Sequence, residues 1–387
     1  MKQENRILGV IGNPEDVNCW SNIPYFFIQA GRRAGFFKGG LPLETRQLRL
    51  PRIFWNVCAP LRGERPGGFQ YTRQCMDLLM ENAGRSGSLS GVSEIVSHFQ
   101  LFPPFEKAGQ MGIRFAHYID FPLPCLFDEY GIAKTIGKRT AQKALERERK
   151  QYAAARAVVC MSGWAARQVI ERCGVSPKKV HVILPGANLP EESFDTTGEV
   201  SQEIPDGKRI PLRIAFVGKI PERKGLPELV EGMRILRQRG YQSTVRVIGP
   251  SVNIFPGNPQ VQHVGFINKA VEPERLIREL RSCHIGALPS RQEAFGIAAL
   301  EYLRCGLPAL LTQAGGLQDS IPGDCGIFLS PNCTGEEIAD RLEDMLKRPE
   351  YFASLSQQAR TKATDASWIR TVVEFQKLWD ELRLRKS

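Results

Sequence analysis

The chain has 387 residues, of which 42 % are hydrophobic and 24 % charged. This is the composition of a globular protein, and the length usually divides into two domains. The N-terminal segment lacks the basic-then-apolar pattern of a secretion signal, and no apolar run reaches the roughly 18 to 20 residues of a membrane span. We therefore expect a cytoplasmic protein.

The net charge of +11 lies entirely in the first half, because residues 1–190 contain 26 Lys and Arg against 15 Asp and Glu, whereas residues 191–387 are balanced. No zinc-finger, basic-zipper or RNP-like pattern accompanies these bases, so we expect no nucleic-acid partner, although a basic groove without a motif stays open. The ten cysteines and five histidines form no CxxC, HExxH or mixed cluster. We predict reduced, mostly buried cysteines and no metal site.

The first half alternates short apolar runs with amphipathic segments. This alternation predicts a parallel sheet covered by helices on both faces, with ligands at the carboxyl ends of the strands. A helix is expected around residues 25–34. Strands are expected at residues 6–11, 53–57, 94–99, 112–117, 157–161 and 180–183.

Two basic segments of the first half are candidates for surface contacts. Residues 32–38, Arg-Arg-Ala-Gly-Phe-Phe-Lys, mix cations with aromatic residues, so they fit either an anionic membrane surface or a helix end followed by a core Phe pair. Residues 134–150 combine bases with Glu146 and Glu148 at helical spacing, which favours an exposed helix face. The basic first half also fits an acidic or phosphorylated acceptor.

The second half repeats the alternation after a linker at residues 191–211, which is rich in acids, Gly and Pro. We predict domains at residues 1–190 and 212–365, followed by an amphipathic C-terminal helix within residues 366–387. Strands are expected at residues 213–217, 243–248, 261–264, 284–288 and 309–312.

A basic loop follows the first strand of this second half. The loop runs Gly218-Lys219-Ile220-Pro221-Glu222-Arg223-Lys224-Gly225 and precedes a helix with apolar residues at helical spacing. Lys219 and Lys224 are expected to flank a diphosphate and to neutralise its charge when it departs as a leaving group. An ordinary solvated basic loop is the alternative.

Two glutamates lie eight positions apart across a second strand-to-helix junction. Glu293 is expected on the loop, and Glu301 about a turn and a half inside a helix at residues 298–305 that Gly306 and Pro308 terminate. A helix N-terminus offers unpaired N–H groups and a positive dipole end, which favour phosphate. The arrangement suits a ligand with hydroxyls at both ends and phosphate between them, such as a nucleotide-sugar.

These residues resemble the retaining glycosyltransferases of family 4. The likeness runs from Glu293 through Ala-Phe-Gly, Glu301, Cys-Gly-Leu-Pro at 305–308 and Gly-Gly-Leu at 315–317, about thirty consecutive residues. It implies a GT-B fold, in which two Rossmann-like domains face each other across a cleft and the C-terminal helix crosses back to the first domain. Lys219 stands where the family usually has Arg, which replaces a two-pronged contact by a point charge.

The resemblance assigns roles within the second half. Glu293 would bind sugar hydroxyls and Glu301 the ribose, while amides near Phe295 and Gly296 would hold the diphosphate. The family's base-holding positions correspond to Gly249, Phe266 and Ile267. The donor-binding prediction comprises Asn22, Gly218, Gly249, Phe266, Ile267, Ala294, Phe295, Gly296, Ile297 and Glu301, and the catalytic prediction His117, Lys219, Lys224 and Glu293.

Asn22 and His117 belong to the first half. The loop at residues 17–24 resembles the family's donor-facing loop, and Asn22 replaces its Gly; Asn tolerates left-handed backbone and is expected to preserve the turn. His117 matches a histidine near the transferred sugar and is expected at the mouth of the cleft. A structural histidine and a helix-capping turn are the alternatives.

The resemblance implies transfer of a sugar from a nucleotide-diphosphate donor to a sugar or lipid-linked acceptor hydroxyl, with retention, in polysaccharide, glycolipid or glycoconjugate assembly. No Asp-x-Asp follows a strand, so no metal and no other cofactor are expected. Peripheral contact with the inner face of an anionic membrane is a further expectation. A nucleotide-sugar epimerase of the same fold and a non-catalytic sugar-nucleotide-binding subunit are the alternatives.

Overall fold

The computed structural model describes residues 5–194 and 203–384. The chain divides into two compact units, the first comprising Met1–Leu184 with Thr371–Ser387 and the second Pro185–Arg370. Residues 195–202 of the predicted linker lie outside the described part of the chain, and residues 191–194 form a short 3₁₀ helix within the second unit.

The first unit is an α/β unit built on one parallel sheet. Its strands are β1 (Arg6–Ile11), β2 (Gly39–Leu43), β3 (Glu94–Ser97), β4 (Arg114–Ile119), β5 (Val158–Cys160) and β6 (Val180–Val182). Its helices are α1 (Ile23–Arg33), α2 (Arg49–Cys58), α3 (Arg73–Arg85), α4 (Phe105–Gln110), α5 (Leu123–Glu129), α6 (Ile132–Ile136), α7 (Lys138–Ala154) and α8 (Gly163–Cys173). The sheet order is β2-β1-β3-β4-β5-β6, with every pair parallel.

The strand predicted at residues 53–57 was wrong. These residues belong to α2, because apolar residues at 50, 53, 54 and 57 recur at helical spacing rather than at every second position. The edge strand β2 was missed, since its sequence Gly-Gly-Leu-Pro-Leu contains the residues that usually interrupt strands. The strands predicted near residues 6, 94, 112, 157 and 180 are confirmed.

Residues 32–38 do not expose the aromatic residues on which the membrane-contact interpretation depended. Phe36 and Phe37 are buried and pack edge-on against each other. Phe36 also contacts Phe375 and Trp379 of the C-terminal helix α14 (Trp368–Leu384), whose residues from Thr371 onward belong to this unit. The alternative of a helix end followed by a core Phe pair therefore describes this segment.

A buried charged cluster lies at the same place in the first unit. Glu94 has no exposed surface and accepts hydrogen bonds from Arg6 Nε at 2.8 Å, Arg156 Nη1 at 2.8 Å and Trp379 Nε1 at 2.6 Å. The guanidinium of Arg6 lies 4.1 Å above the ring of Phe36. Two cations and an indole N–H thus satisfy one carboxylate, and they join α14 to β1 and β3.

Helix α7 is only partly the exposed face that its charges predicted. Glu148 is buried and accepts hydrogen bonds from Leu123 N and Tyr152 Oη, both at 2.8 Å. Burial raises the pKa of this carboxyl to about 7. The helical spacing was correct, but the sequence did not indicate that Glu148 would lie on the inward side.

The second unit is a second α/β unit with a parallel sheet. Its strands are β7 (Leu212–Val217), β8 (Ser243–Ile248), β9 (Val261–Gly265), β10 (Ile285–Leu288), β11 (Ala309–Thr312) and β12 (Gly326–Leu329). Its helices are α9 (Leu226–Gln238), α10 (Pro273–Arg281), α11 (Ile297–Arg304), α12 (Gly335–Lys347) and α13 (Pro349–Lys362), followed by the start of α14. The order is β12-β11-β10-β7-β8-β9; the five predicted strands are confirmed, and β12 was missed.

The segment before β7 packs onto the second unit. Arg304 pairs with Glu191 at 2.5 Å, and its guanidinium lies 4.2 Å above the ring of Phe194. Ser193 donates a hydrogen bond to Glu274 of α10 at 2.7 Å. Residues 191–194 are therefore held by side chains of α10 and α11.

The ten cysteines form no disulfide, and eight of them are buried, as predicted. Among the helices of residues 5–194 and 203–384, we find none with the length and apolar content of a membrane-spanning segment.

Candidate functional site

The second unit has its candidate site where the strand order reverses. β7 continues to β8 and β9 on one side, whereas β10 lies on its other side and continues to β11 and β12. Ligands of such sheets bind beyond the carboxyl ends of the strands at this reversal. The loop after β7 contains the predicted lysines, and the loop after β10 contains Glu293, so the topology brings both predicted loops to one place.

Glycines let the backbone segments approach closely at this edge. Gly249 has φ 125°, and a Cβ there would lie 2.6 Å from the carbonyl oxygen of Gly218. Gly225 has φ 77°, and a Cβ there would clash with the carbonyl of Pro289. Side chains at these positions would separate the loop after β7 from its neighbours.

Lys224 and Glu293 form a close ion pair between the two loops. Their side chains are 13 % and 10 % exposed. Arg223 Nη1 donates to the carbonyl of Gln292 at 2.9 Å and lies 3.7 Å from Glu293 Oε2, and Ser290 Oγ donates to the same carboxylate at 3.3 Å. The Glu293 carboxylate therefore faces two cations, and the cluster has a positive balance.

Lys219 lies apart from this pair. Its side chain is exposed, and its Nζ lies 5.0 Å from the ring centroid of Phe266, a cation–π contact. The Phe266 ring is itself exposed, whereas Ile267 is buried. Lys219 thus connects the loop after β7 to the loop after β9, at which the base was expected to bind.

The N-terminus of α11 presents unpaired amides. Gly296 has φ 84° and precedes the first helical residue, Ile297. Within the described ranges, the N–H groups of Phe295, Gly296 and Ile297 donate to no protein acceptor. Phe295 is buried, which fixes the backbone that carries these donors. The arrangement is suited to an anion.

Glu301 is fully buried one and a half turns into α11, and its Oε1 pairs with Lys269. Its Oε2 has no hydrogen-bond partner among the described residues. Burial raises the pKa of Glu301, and the charge of Lys269 opposes that shift. A buried carboxylate with one paired and one unpaired oxygen is a ready acceptor for a ligand hydroxyl.

Lys269 was not predicted from the sequence. It lies after β9, 32 positions before its partner, and no local pattern connects the two residues. One signal for Lys269 was available in the sequence: it lies within four residues of the turn at Phe266 and Ile267, which was predicted to hold the base.

Tyr302 fixes the helix that carries Glu301. Its ring fills the space left by Gly286, where a Cβ would clash with it. Its hydroxyl accepts a hydrogen bond from Val217 N at 2.8 Å and donates one to the carbonyl of Ala287 at 3.1 Å. One buried side chain of α11 is therefore bonded to β7 and β10 at once.

The first unit has a corresponding reversal between β1 and β3. In the loop after β1, Trp20, Ser21 and Asn22 all have left-handed backbone, with φ of 42°, 58° and 71°. Asn22 Nδ2 also donates to the carbonyl of Val17. Asn22 thus adopts the turn that the sequence predicted, in a loop whose consecutive non-glycine residues are strained.

His117 does not lie where the sequence predicted. Its ring is fully buried within β4, edge-on against Phe115 and Tyr152, and burial lowers its pKa to about 3. The prediction was wrong because His117 precedes the end of the strand by two residues and points into the core.

His98, unlike His117, lies just beyond the end of a strand. It directly follows β3, is half-buried, and its ring lies 6.2 Å from that of Trp20. Nδ1 is 2.9 Å from the carbonyl of Tyr118, so Nδ1 carries the proton and Nε2 remains an acceptor. Burial lowers the pKa of His98 to about 4, which keeps the ring neutral. Its place after a buried strand was the missed signal.

Solved structures share the two-unit architecture over nearly the whole chain. A sucrose-phosphate synthase from Thermosynechococcus elongatus matches with a TM-score of 0.69 and 15 % identity, covering 99 % of this chain and 100 % of that one. Anabaena Alr3699/HepE in complex with UDP matches with a TM-score of 0.66 and 14 % identity, covering 97 % and 100 %. At these identities the likeness establishes the fold alone. The fold is the predicted GT-B class of two Rossmann-like domains.

Family comparisons give a more particular class. Residues 57–190 match the family described as Glycosyltransferase Family 4, and residues 201–362 match Glycosyl transferases group 1. The D-inositol 3-phosphate glycosyltransferase of Gordonia bronchialis is 28 % identical, over 54 % of this chain and 48 % of its own. That of Jonesia denitrificans is 27 % identical, over 60 % and 58 %. The match thus spans about half of each relative, and together these likenesses support a glycosyltransferase of the family-4 type.

Proposed function

We propose that the chain transfers a sugar from a nucleotide-diphosphate donor to an acceptor hydroxyl, with retention at the anomeric carbon. The observation that supports this most directly is the placement of Lys224 and the unpaired amides of α11 at the strand reversal of the second unit, with Lys219 on the Phe266 side of the same sheet edge. The cations and the amides suit a diphosphate, and the carboxylates of Glu293 and Glu301 suit hydroxyls at its two ends.

The leaving diphosphate would be stabilised by groups that are already in place. Lys224 is oriented by Glu293, and Arg223 supplies a second cation beside the same carboxylate. As the bond between the anomeric carbon and the phosphate oxygen lengthens, negative charge accumulates on that oxygen, and these cations and amides would stabilise it. The phosphate oxygen would in turn accept the acceptor proton on the same face of the sugar.

The two carboxylates would orient the donor. Glu293, one-tenth exposed, would accept hydrogen bonds from sugar hydroxyls, and Glu301 Oε2 would accept one from the ribose. Phe266 and Ile267 would contact the base, with Gly249 leaving room for the backbone to approach. Ala294 and Ile297 complete the loop around the phosphate.

We propose His98, rather than His117, as the histidine of the first unit that contacts substrate. A neutral ring with Nδ1 bonded to a carbonyl offers Nε2 as an acceptor for a sugar hydroxyl. The strained loop at Trp20 and Asn22 lies beside it and would supply backbone groups to the donor.

The acceptor is proposed to be a sugar or a lipid-linked sugar, with a phosphate or another anionic group. Two observations support this choice: the first half carries the whole net positive charge, and the curated relatives are named for an inositol phosphate. Solved neighbours include complexes with UDP and with UDP-glucose, so a uridine donor is tested first. The reaction is proposed to serve polysaccharide, glycolipid or glycoconjugate assembly without a metal.

The test is product analysis with purified full-length chain. UDP-, GDP- and ADP-linked sugars are incubated with phosphorylated and unphosphorylated acceptors, and the products are identified by mass spectrometry and their anomeric configuration by NMR. Lys224→Ala is expected to lower turnover by about 10²-fold, the effect of losing one preorganised charge. Lys347→Ala is the matched control, since Lys347 also pairs with a glutamate, at 2.6 Å, but on an exposed helix. A loss below about threefold for Lys224→Ala would exclude this role.

Two further reactions of the same assay separate the alternatives. Conversion of the donor sugar without any acceptor would indicate an epimerase, and tight donor binding without turnover would indicate a binding subunit. The lysine in place of the usual arginine at position 219 is the observation that favours the second alternative.

A further inference from the structure

We propose that the outward face of α2 is a docking surface for an anionic membrane. This surface, the α2 apolar face, consists of Leu50, Ile53, Phe54, Val57 and Leu61 of the helix and the turn that follows it. The inference concerns a different unit and different residues from the donor site, and it holds whatever sugar the chain transfers.

The α2 apolar face consists of large apolar side chains that are mostly exposed to solvent. Leu50 is 77 % exposed, Phe54 66 %, Val57 69 % and Leu61 88 %, while Ile53 is 46 % exposed. Residues 50, 53, 54 and 57 recur at three- and four-residue intervals, so they form one continuous stripe. Large apolar residues gathered on one helix face indicate an interaction site, whereas single exposed residues do not.

The helix is held to the first unit by its opposite side. Trp55 is buried, and its ring packs against Phe69 with centroids 6.2 Å apart. Arg62 Nη2 donates to the carbonyl of Trp55 at 3.1 Å, and its guanidinium lies 5.3 Å from the same ring. The anchoring of one side leaves the apolar stripe turned away from the core.

The charged residues of the helix itself are all arginines. Residues 45–63 contain Arg46, Arg49, Arg52 and Arg62, whereas Glu44 and Glu64 flank this segment and Glu64 pairs with Arg62. Arg46, Arg49 and Arg52 are exposed, and none of the three pairs with an acidic side chain in the described part of the chain. Arginines can extend their aliphatic stems along an apolar surface while their guanidinium groups reach lipid phosphates.

An anionic bilayer fits these features better than a protein partner. The surface is a single projecting helix, which inserts its apolar stripe among acyl chains without needing a complementary groove. Arg46, Arg49 and Arg52 would repel a second copy of the same basic face, whereas they attract anionic headgroups. The predicted membrane contact of the chain is thereby assigned to α2.

Vesicle co-sedimentation of the full-length chain, without nucleotide-sugar, tests the proposal. The probes are vesicles of phosphatidylcholine alone and of phosphatidylcholine mixed with phosphatidylglycerol. We expect binding to the anionic vesicles that weakens with salt. The double variant Phe54→Ser/Val57→Ser should lose about tenfold or more in partitioning, because two apolar side chains no longer insert. Arg49→Glu/Arg52→Glu should weaken binding mainly at low salt.

The control is Val271→Ser, which removes an equally exposed apolar side chain, 73 % exposed, from the second unit. Thermal unfolding followed by circular dichroism verifies that each variant folds. No sedimentation with anionic vesicles, or equal sedimentation of the α2 double variant and the control, would overturn the proposal. A wild-type dimer that dissociates in Phe54→Ser/Val57→Ser, without vesicle binding, would assign the face to self-association instead. Neither result depends on sugar transfer, which is measured separately.

Discussion

Replacement of Lys269 tests whether the buried carboxylate of Glu301, in the proposed donor site, depends on its cation. Lys269→Ala leaves Glu301 without its partner at a position with no exposed surface. Removal of one member of a buried ion pair costs about 3–5 kcal/mol. Lys269 itself is 14 % exposed and therefore partly hydrated, so we take the lower end, about 3 kcal/mol, for the loss in unfolding free energy at pH 8.

The loss should depend on pH with a definite sign. Burial already raises the pKa of Glu301, and removal of Lys269 raises it further because the opposing charge disappears. A carboxyl whose folded pKa exceeds its unfolded pKa favours folding at low pH and loses that contribution as pH rises. Lys269→Ala should therefore be less destabilised at pH 5 than at pH 8.

Urea unfolding of a double-mutant cycle is the assay. Lys269→Ala is compared in the wild-type and in the Glu301→Gln background, at both pH values. In the Gln background no buried charge remains, so the lysine substitution should cost little and show no pH dependence. The affinity for UDP is measured on the same proteins. If Lys269→Ala lowers the free energy of unfolding equally in both backgrounds, Lys269 and Glu301 are not coupled. If the loss in the wild-type background is the same at pH 5 and pH 8, the coupling is not electrostatic.

Burial raises the pKa of Glu148 to about 7, so the buried carboxyl is ionised at pH 8 and mostly neutral at pH 5. Glu148→Gln replaces it by a neutral amide, and the free energy of unfolding of the variant relative to wild type should therefore be about 2 kcal/mol higher at pH 8 than at pH 5. Thermal unfolding at both pH values measures this difference. Gly249→Ala should abolish the thermal shift given by UDP, since its Cβ would meet a carbonyl, whereas Gly257→Ala, with φ 79° and open space around it, should retain the shift. Trp379→Phe should destabilise the first unit by about 1–3 kcal/mol, because Glu94 loses a buried donor, and an unchanged urea midpoint would contradict this.

Much of the fold was predictable because strand formation is local in these sequences. Buried strands such as β10 and the last four residues of β7 are continuous apolar runs, and the loops after them carry glycines that mark the turns. The predictions failed where a pattern was brief or was read with the wrong period. β2 is interrupted by Gly and Pro, and residues 53–57 were read as a strand although their spacing is helical.

In the candidate site, too, residues within one contiguous segment could be predicted from the sequence, whereas a contact between distant segments could not. The loops with Lys224 and Glu293 were predictable, since each is a contiguous segment, and the parallel sheet brings their strand ends together. Lys269 was not predictable, because its role follows from a contact across 32 positions. His117 was predicted to lie at a strand end, and His98 was not considered, because the sequence does not fix which residue of a strand is the last one inside the core.

The Tyr302 hydroxyl, which links β7 to β10, affects how freely the proposed ligand-binding side of α11 can move. Val217 and Ala287 share the Tyr302 hydroxyl, and Glu301 precedes that tyrosine on the same helix. A slide or rotation of α11 would break both hydrogen bonds and empty the space above Gly286. The Glu301 carboxylate is thus held in place before any ligand binds. A ligand that binds to Glu301 should therefore cause little ordering of the protein, and the conformational entropy lost by the protein on binding should be small.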